Sequence, residues 1–216
     1  MKLRIALDFD ETLVDFNLAF INYFNKRFGI GITREDIKDW MFKSLEEKFG
    51  IDHKKVQKEF VSFYRKVWNS NFEILKPTFD EDLSKMTFFL KEISEKLDIV
   101  TLNPFVDKIR KWLEMNSIFY DEIVWVDTWE EKFNLNYNVF IDDSPILAEI
   151  FLKEKPRNKF LILIEKAWNR NFEENEFIKK ARNFKEIVEY CIGLKVFDKF
   201  ERLSKIKNWE EKLKNF

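Results

Sequence analysis

Five short runs of apolar residues recur along the 216-residue chain, and each is almost continuously hydrophobic instead of alternating with polar residues. Strands that are buried on both faces of a parallel sheet have this pattern. The runs are Leu3–Phe9, Leu97–Leu102, Glu122–Val126, Asn138–Ile141 and Lys159–Ile164. Two helical patterns lie between them, one with Val106, Ile109, Trp112 and Leu113 on a single face and one near Ile146–Leu152. This succession of strands and helices predicts a doubly wound α/β core around a parallel sheet.

The first two predicted strands are separated by about 87 residues, which is too many for a single crossover connection. Apolar residues recur through this segment at helical spacing. They are Phe16, Phe20, Tyr23, Phe24 and Phe28, followed by Val56, Phe60, Phe63, Tyr64 and Val67. Gly29 and Gly31 end the first of these helices, Thr33–Asp36 has the composition of a helix start, and Pro77 closes the segment. We therefore predict a small helical cap at 15–79, inserted into a core formed by 1–14 and 80–216.

The last part of the sequence, Val196–Phe216, has the pattern of an amphipathic helix. Its large apolar residues recur every three or four positions and are Val196, Phe197, Phe200, Leu203, Ile206, Trp209 and Leu213. Such a helix either covers the core or meets a second subunit, so a homodimer is one of the outcomes that this pattern leaves open.

The composition narrows this picture by exclusion. Hydrophobic residues make up 45% of the chain and charged residues 36%, which is typical of a packed globular protein and not of a disordered one. No apolar run reaches the roughly 18–20 residues of a membrane-spanning helix, and the first residues do not resemble a signal peptide, so we expect a cytoplasmic protein. A lone cysteine, Cys191, and a lone histidine, His53, exclude an internal disulfide and a Cys/His zinc cluster. The net charge of -1 does not suggest a nucleic-acid partner.

Two predicted strands end in pairs of aspartates. The first runs into Asp8 and Asp10, and the fourth into Asp142 and Asp143. Because parallel strands end at the same edge of a sheet, where open α/β folds bind their ligands, we expect these four carboxylates to share one cleft. Acidic residues at such positions often cap the following helix instead. Two pairs at one edge favour a hard divalent cation with oxygen ligands, most simply Mg²⁺.

The order of these groups along the chain resembles that of the haloacid dehalogenase-like phosphohydrolases. The segment Asp8-Phe9-Asp10-Glu11-Thr12-Leu13-Val14 is similar to the first motif of that superfamily. Thr101 resembles the second motif, Lys132 the third, and the pair Asp142 and Asp143 the fourth. The resemblance implies a Rossmann-like core with a cap, and hydrolysis of phosphomonoesters through an aspartyl-phosphate intermediate with Mg²⁺ as cofactor.

A narrower resemblance is to the 5'(3')-deoxyribonucleotidases, the cytosolic C-type 5'-nucleotidase family. It rests on Val14-Asp15-Phe16, on Thr101-Leu102-Asn103-Pro104, and on the ten-residue spacing between Lys132 and Asp142. Glu11 departs from the glycine usual in that family, and Leu102-Asn103 replaces a serine. The narrower resemblance implies a nucleoside monophosphate as substrate.

The resemblance also implies a role for each motif residue. Asp8 would be the nucleophile, and Asp10 would protonate the leaving oxygen and then activate water. Asp8, the backbone carbonyl of Asp10, Asp142 and Asp143 would hold Mg²⁺. Thr101 and Lys132 would bind the phosphoryl oxygens. Taken singly, Thr101 is better explained as a strand-end hydroxyl bonded to the backbone and Lys132 as a surface lysine. Their place in the ordered set favours the catalytic interpretation.

Substrate contacts are expected from the cap and from the loop after the second core strand. Phe16 and Phe72 are the preferred candidates for contact with a planar base, with Phe20 and Trp40 as further members of an aromatic slot, and Asn103 is a candidate on the core. An aromatic stripe at helical spacing is more often simply core. The segment Trp168-Asn169-Arg170 follows the fifth strand and is predicted either to reach the site or to form a capped loop.

Three functional interpretations follow. The first is a nucleotidase. The second keeps the chemistry but has a sugar phosphate or another small phosphomonoester as substrate. The third is an interaction protein built on the same scaffold without enzymatic activity. The presence of both Asp8 and Asp10 favours an enzyme, and Asp10 favours a phosphatase over a dehalogenase.

Overall fold

A computed structural model of the protein describes residues 2–40 and 42–196. The strands are β1 Leu3–Leu7, β2 Val14–Asp15, β3 Lys76–Pro77, β4 Ser94–Thr101, β5 Ile123–Trp125, β6 Val139–Asp142, β7 Phe160–Ile164 and β8 Ile178–Ala181. The α-helices are α1 Phe16–Phe28, α2 Lys43–Phe49, α3 His53–Lys66, α4 Leu83–Ile93, α5 Val106–Met115, α6 Trp129–Asn134, α7 Pro145–Glu154 and α8 at 184–196. All of the predicted C-terminal helix beyond Val196 lies outside the described residues.

Six strands form one parallel sheet in the order β5-β4-β1-β6-β7-β8. The sheet is covered on both faces, because successive residues of β1 enter different hydrophobic clusters. Ile5 and Leu7 belong to one cluster, and Ala6 lies in the other with Val100 and Phe140. The predicted doubly wound α/β class is therefore confirmed.

The sheet differs from the predicted one in its edge strand and in the bounds of its strands. The strand β8, Ile178–Ala181, was not predicted, because only Ile178 and Ala181 are buried and two lysines separate them. The apolar run Leu3–Phe9 pairs only as far as Leu7, where β1 ends. Phe9 is nevertheless fully buried, because its ring packs edge-on against Trp112 with ring centroids 5.3 Å apart.

The longest insertion between β1 and β4 is closed by a two-stranded antiparallel ladder of β2 and β3, in which Val14 pairs with Pro77 and Asp15 with Lys76; α4 then leads into β4. Between these strands the chain is helical, with a short π-helical turn at Val67–Asn71 after α3. Asp15 starts α1 by accepting a hydrogen bond from the Leu18 amide at 2.7 Å. The ladder holds the two ends of this segment together beside the end of β1. The division of the chain into a core and a cap at residues 15 and 79 stays a prediction.

Within the described ranges, no helix is both long enough and apolar enough to cross a membrane.

Candidate active site

The ends of β1 and β6 bring three aspartates together. The two strands are parallel neighbours, and beyond their last paired residues the Asp8 amide still donates to the Ile141 carbonyl at 2.9 Å. Carboxylate oxygens of Asp8, Asp142 and Asp143 all lie within 4.8 Å of one another, and all three side chains are buried. Like charges this close are stable together only when protons or cations compensate them.

Lys132 supplies one of the compensating charges. It lies in α6, which begins after Thr128 accepts a hydrogen bond from the Glu131 amide. Its side chain is fully buried, and its Nζ lies 2.6 Å from Asp8 Oδ1 and 2.7 Å from Asp142 Oδ2. Burial alone would lower the pKa of the Lys132 ammonium, but the two carboxylates outweigh this effect and raise it.

The remaining negative charge suits a divalent cation. Burial raises the pKa of Asp8 to about 8, with a further contribution from Asp142 against the opposing effect of Lys132. Burial and the neighbouring Asp142 carboxylate also raise the pKa of Asp143. Asp142 Oδ1 accepts the Ser144 amide at 2.8 Å, and its Oδ2 contacts the Lys132 ammonium. Carboxylate oxygens are the hard ligands that Mg²⁺ prefers, and those of Asp8, Asp142 and Asp143 converge here, so these residues fit the ion that the sequence predicts.

Asp10 lies in the tight turn that follows β1. The Phe9 carbonyl closes this turn by accepting from the Leu13 and Val14 amides at 2.9 and 3.1 Å. Burial raises the pKa of Asp10 to about 6, although Asn103 Nδ2 donates to Asp10 Oδ2 at 3.0 Å and partly opposes this. A carboxyl group that changes protonation near neutral pH is suited to general acid–base catalysis.

The loop after β4 carries two of the predicted residues. Thr101 Oγ1 accepts a hydrogen bond from the Asn103 amide at 3.0 Å, and both side chains border the cavity described below. The Asn103 carboxamide donates to Asp10 and so holds this aspartate in position. Asn103 also lines the cavity, and its contact with substrate stays a prediction.

The β7–β8 connection holds Asp143. Trp168 Nε1 donates to Asp143 Oδ2 at 3.0 Å, and Asn169 Nδ2 donates to the carbonyls of Asp143 and Ile164 at 2.9 and 2.7 Å. Arg170 reaches across to Glu35 on the helical segment, with Nη2 and Oε2 2.8 Å apart. Both outcomes left open for this tripeptide are present: it contacts Asp143, and it forms a capped loop in which Asn169 Oδ1 accepts the Lys166 amide at 2.8 Å.

A cavity of about 410 Å³ opens above the aspartates. The polar residues that line it are Asp8, Asp10, Glu11, Asn17, Thr101, Asn103 and Asp143, and the apolar ones are Phe16, Ile37, Trp40, Phe42, Phe60, Tyr64, Leu102 and Trp129. Four of the polar residues are acidic, so an anionic group could approach them only with a compensating cation, and most of the remaining wall is aromatic. The wall combines residues of the helical segment with residues of the strand-end loops.

The structure separates the predicted substrate contacts into two groups. Phe16 and Trp40 line the cavity. Phe20 does not, because it is buried between Phe42 and Phe60 in the packing of the helices. Phe72 does not line it either: its ring is buried, and the Lys108 ammonium lies 5.4 Å from the ring centroid. The preference for Phe72 as a substrate contact therefore has no support in its position.

Sequence reasoning missed several residues of the wall, of which Trp129 is the most informative. It begins α6 one turn before Lys132, and the Lys132 ammonium lies 5.5 Å from its ring centroid. This three-residue spacing was the available signal, because residues i and i+3 share a helix face. Tyr64, Phe60 and Phe42 could not be separated from core residues by pattern alone.

Glu11 occupies a left-handed backbone conformation with φ of 58°. Residues other than glycine rarely adopt this conformation, and the resembled family has glycine at this position. Its Oε1 accepts the Asn17 amide at 2.6 Å, which links the catalytic loop to the first turn of α1. Burial raises the pKa of Glu11 to about 8, against the opposing charge of Lys166.

Comparisons with known proteins identify similar folds but no sequence relative. No family model matches the chain, and no curated protein matches it. A candidate phosphoglycolate phosphatase from Lactobacillus delbrueckii subsp. bulgaricus superposes with a TM-score of 0.56 at 16% identity, over 88% of this chain and 99% of that one. A haloacid dehalogenase-like family hydrolase from Xanthomonas campestris superposes with a TM-score of 0.50 at 10% identity, over 89% of this chain and 96% of that one. At these identities the similarity shows the fold alone.

Proposed function

We propose that the protein is a Mg²⁺-dependent phosphatase that hydrolyses phosphomonoesters through an aspartyl-phosphate on Asp8, with nucleoside monophosphates as its preferred substrates. The observation that carries the chemistry is the buried cluster in which Asp8 contacts Lys132 and lies beside Asp142 and Asp143. The shared fold with haloacid dehalogenase-like hydrolases supports the same class of reaction.

The first step is attack of an Asp8 carboxylate oxygen on phosphorus, with transfer of the phosphoryl group from the substrate oxygen to Asp8. Asp10, protonated at this stage, donates its proton to the leaving oxygen. Its pKa of about 6 leaves a usable fraction in the acid form near neutral pH. Asn103 keeps the Asp10 carboxyl group directed to this position through its carboxamide.

The second step regenerates the enzyme. Asp10, now ionised, takes a proton from a water molecule, and the resulting oxygen attacks the phosphorus of the aspartyl-phosphate. Phosphate leaves, and Asp8 returns as a carboxylate. Splitting hydrolysis into two transfers lets a single carboxyl group serve first as acid and then as base.

Charge compensation comes from two sources. Lys132 and the Thr101 hydroxyl are the protein groups that stabilise the phosphoryl oxygens as negative charge develops on them. Asp8, the Asp10 carbonyl, Asp142 and Asp143 would hold Mg²⁺, which supplies Lewis-acid stabilisation of the same oxygens and lets the carboxylate and the phosphate approach each other.

The nucleotide preference is supported by the aromatic wall of the cavity, since aromatic faces stack on bases. The competing substrate is a sugar phosphate or another small phosphomonoester. A panel of nucleoside monophosphates, sugar phosphates and phosphoglycolate, assayed for phosphate release with and without Mg²⁺, separates the two. Equal rates on all esters would remove the nucleotidase proposal and leave the phosphatase proposal in place.

Asp8→Asn tests the nucleophile. We expect the substitution to lower kcat by at least about 10³-fold, because the amide cannot form the covalent intermediate. Asp80→Asn is the matched control, since Asp80 is exposed in the loop between β3 and α4. Normal turnover by Asp8→Asn, in protein shown by circular dichroism to be folded, would contradict the proposed mechanism.

A further inference from the structure

The wall of the cavity carries no positive charge among the residues that the structure describes. Its charged members are Asp8, Asp10, Glu11 and Asp143, all of them acidic. The Lys132 ammonium lies beneath, in contact with Asp8 and Asp142, where it is available only to the phosphoryl end. A leaving group that carries a carboxylate or a second phosphate would therefore find no cation in this wall to pair with, since Lys166, whose charge acts on Glu11, lines a neighbouring pocket instead.

Two tryptophans from different parts of the chain meet at the wall of this cavity. Trp40 comes from the segment between the first two helices, and Trp129 is the first residue of α6. Their ring centroids are 5.9 Å apart with an angle of 36° between the planes. Trp40 is 39% exposed although it lines the cavity, so its ring is accessible to a ligand.

Because Trp129 and Lys132 lie on the same helix, α6 connects the group that contacts the ring of a ligand with the group that contacts its phosphoryl end. Trp129 and Lys132 lie one turn apart on a helix of six residues, so their separation is fixed. Lys132 contacts the nucleophile, while Trp129 faces the aromatic part of the cavity. An ester whose ring contacts Trp129 would therefore be held at a set distance from Asp8.

We propose that Trp40 and Trp129 are the specificity-determining pair of this site, and that they select phosphomonoesters whose alcohol part is flat, aromatic and free of negative charge. The inference rests on the proposed phosphatase function and defines its substrate class by chemistry. It distinguishes this chain from an enzyme for phosphoglycolate, whose leaving group carries a carboxylate.

Binding of three phosphonates tests the proposal without requiring turnover. Phenylphosphonate, propylphosphonate and 3-phosphonopropionate share the phosphoryl end and differ in having a ring, an alkyl chain or a carboxylate. Dissociation constants are measured by ³¹P NMR titration of the full chain with Mg²⁺ present. We expect phenylphosphonate to bind about tenfold more tightly than propylphosphonate, a gain typical of one aromatic stacking contact, and 3-phosphonopropionate to bind more weakly than both.

Three variants assign the effect. Trp129→Leu and Trp40→Leu should each remove most of the phenyl advantage while leaving the affinity for propylphosphonate within about twofold. Unchanged propylphosphonate binding by Trp129→Leu also shows that Lys132, on the same helix, is still in position. Trp40→Leu tests the pair a second time without any change in α6. Trp125→Leu is the matched control, because Trp125 is 47% exposed on β5 and does not line the cavity.

The outcomes separate this inference from the function on which it rests. Equal or tighter binding of 3-phosphonopropionate, a phenyl advantage that survives both cavity variants, or no binding of any phosphonate would overturn the inference. Hydrolysis of esters without these preferences would overturn the inference and leave the phosphatase function intact. The expected order of binding in a protein that hydrolyses no ester would support the inference and contradict the function.

Discussion

At the scale of single residues, Lys132 has an environment in the fold that its sequence neighbours do not indicate. In the sequence it stands beside Glu130 and Glu131 and has the appearance of a surface lysine. In the structure it is fully buried and contacts two aspartates. Its role could be predicted only from its place in an ordered set of motifs, because local composition gives no sign that a six-residue helix directs it into the core.

The removal of Lys132 tests this electrostatic arrangement. Lys132→Met should lower the free energy of unfolding by about 3–5 kcal/mol at pH 7 without metal, because Asp8 and Asp142 are left buried without their cation. Urea denaturation measures the change, and Lys153→Met is the control because the Lys153 side chain is 82% exposed. Adding Asp8→Asn to Lys132→Met should restore part of the loss; a double variant no more stable than the single one would contradict the account.

The aspartates themselves were accessible to sequence reasoning, whereas their supporting residues were not. Asp8 and Asp142 directly follow or end continuous apolar strands, so their convergence could be derived from the geometry of a parallel sheet. Asn103 and Trp168 act through contacts with residues 93 and 25 positions away. No periodicity encodes contacts of this kind.

At the scale of elements, the strands that could be predicted are those that form continuous apolar runs. β6 and β7 were found within one residue of their bounds, and so was β5, although it is less buried and lies at an edge of the sheet. β8 lies at the other edge and has only two buried residues, Ile178 and Ala181, with two lysines between them, so it has no apolar run to be recognised. The β7–β8 connection, which carries Trp168 and Asn169, was consequently not recognised as a link between two strands.

That connection gives a prediction about metal affinity. Trp168→Phe keeps the ring but removes the Nε1–H that donates to Asp143 Oδ2. We expect Mg²⁺ to bind about tenfold more weakly, because groups that orient a metal ligand commonly contribute this much. Mg²⁺-dependent thermal stabilisation provides the measurement, and Trp125→Phe is the matched control. Unaltered Mg²⁺ affinity would mean that Asp143 is held by Asn169 alone or does not bind the ion.

At the scale of the whole molecule, the buried carboxyl groups of the site lower the stability of the metal-free protein as the pH rises. Burial raises the pKa values of Asp8, Asp10 and Asp143, so the folded state holds protons that the unfolded chain releases near pH 4. A carboxyl group whose pKa is higher in the folded state than in the unfolded state contributes to the free energy of unfolding. This contribution is fully present below the pKa of the unfolded state and is lost as the pH rises through the pKa of the folded state. For Asp8 this loss extends from about pH 4 to about pH 8.

Mg²⁺ should therefore stabilise the protein more at high pH than at low pH. The Tm of the metal-free protein should fall between pH 5 and pH 8. Mg²⁺ at one fixed concentration, 100 times its Kd at pH 8, should raise Tm by about 5–10 °C at pH 8 and by less at pH 5, where protons compete for the same carboxylates. Differential scanning calorimetry with and without the ion measures both trends. Asp143→Asn removes one buried charge and should reduce both the fall of Tm with pH and the rise of Tm with Mg²⁺. An equal Mg²⁺ effect on Tm at pH 5 and pH 8 would refute the link between carboxyl protonation and metal binding.

The central position of β1 in the sheet also governs when the site can form during protein synthesis. The first strand and Asp8 leave the ribosome before the partner strand β6, which lies far along the chain: the Arg4 amide donates to Asn138 Oδ1, 134 residues later. The aspartate pair Asp142 and Asp143 emerges with β6. β1 also pairs with β4, which emerges earlier, so one edge of β1 stays unpaired until translation has passed β6, and an unpaired apolar strand edge is prone to aggregation.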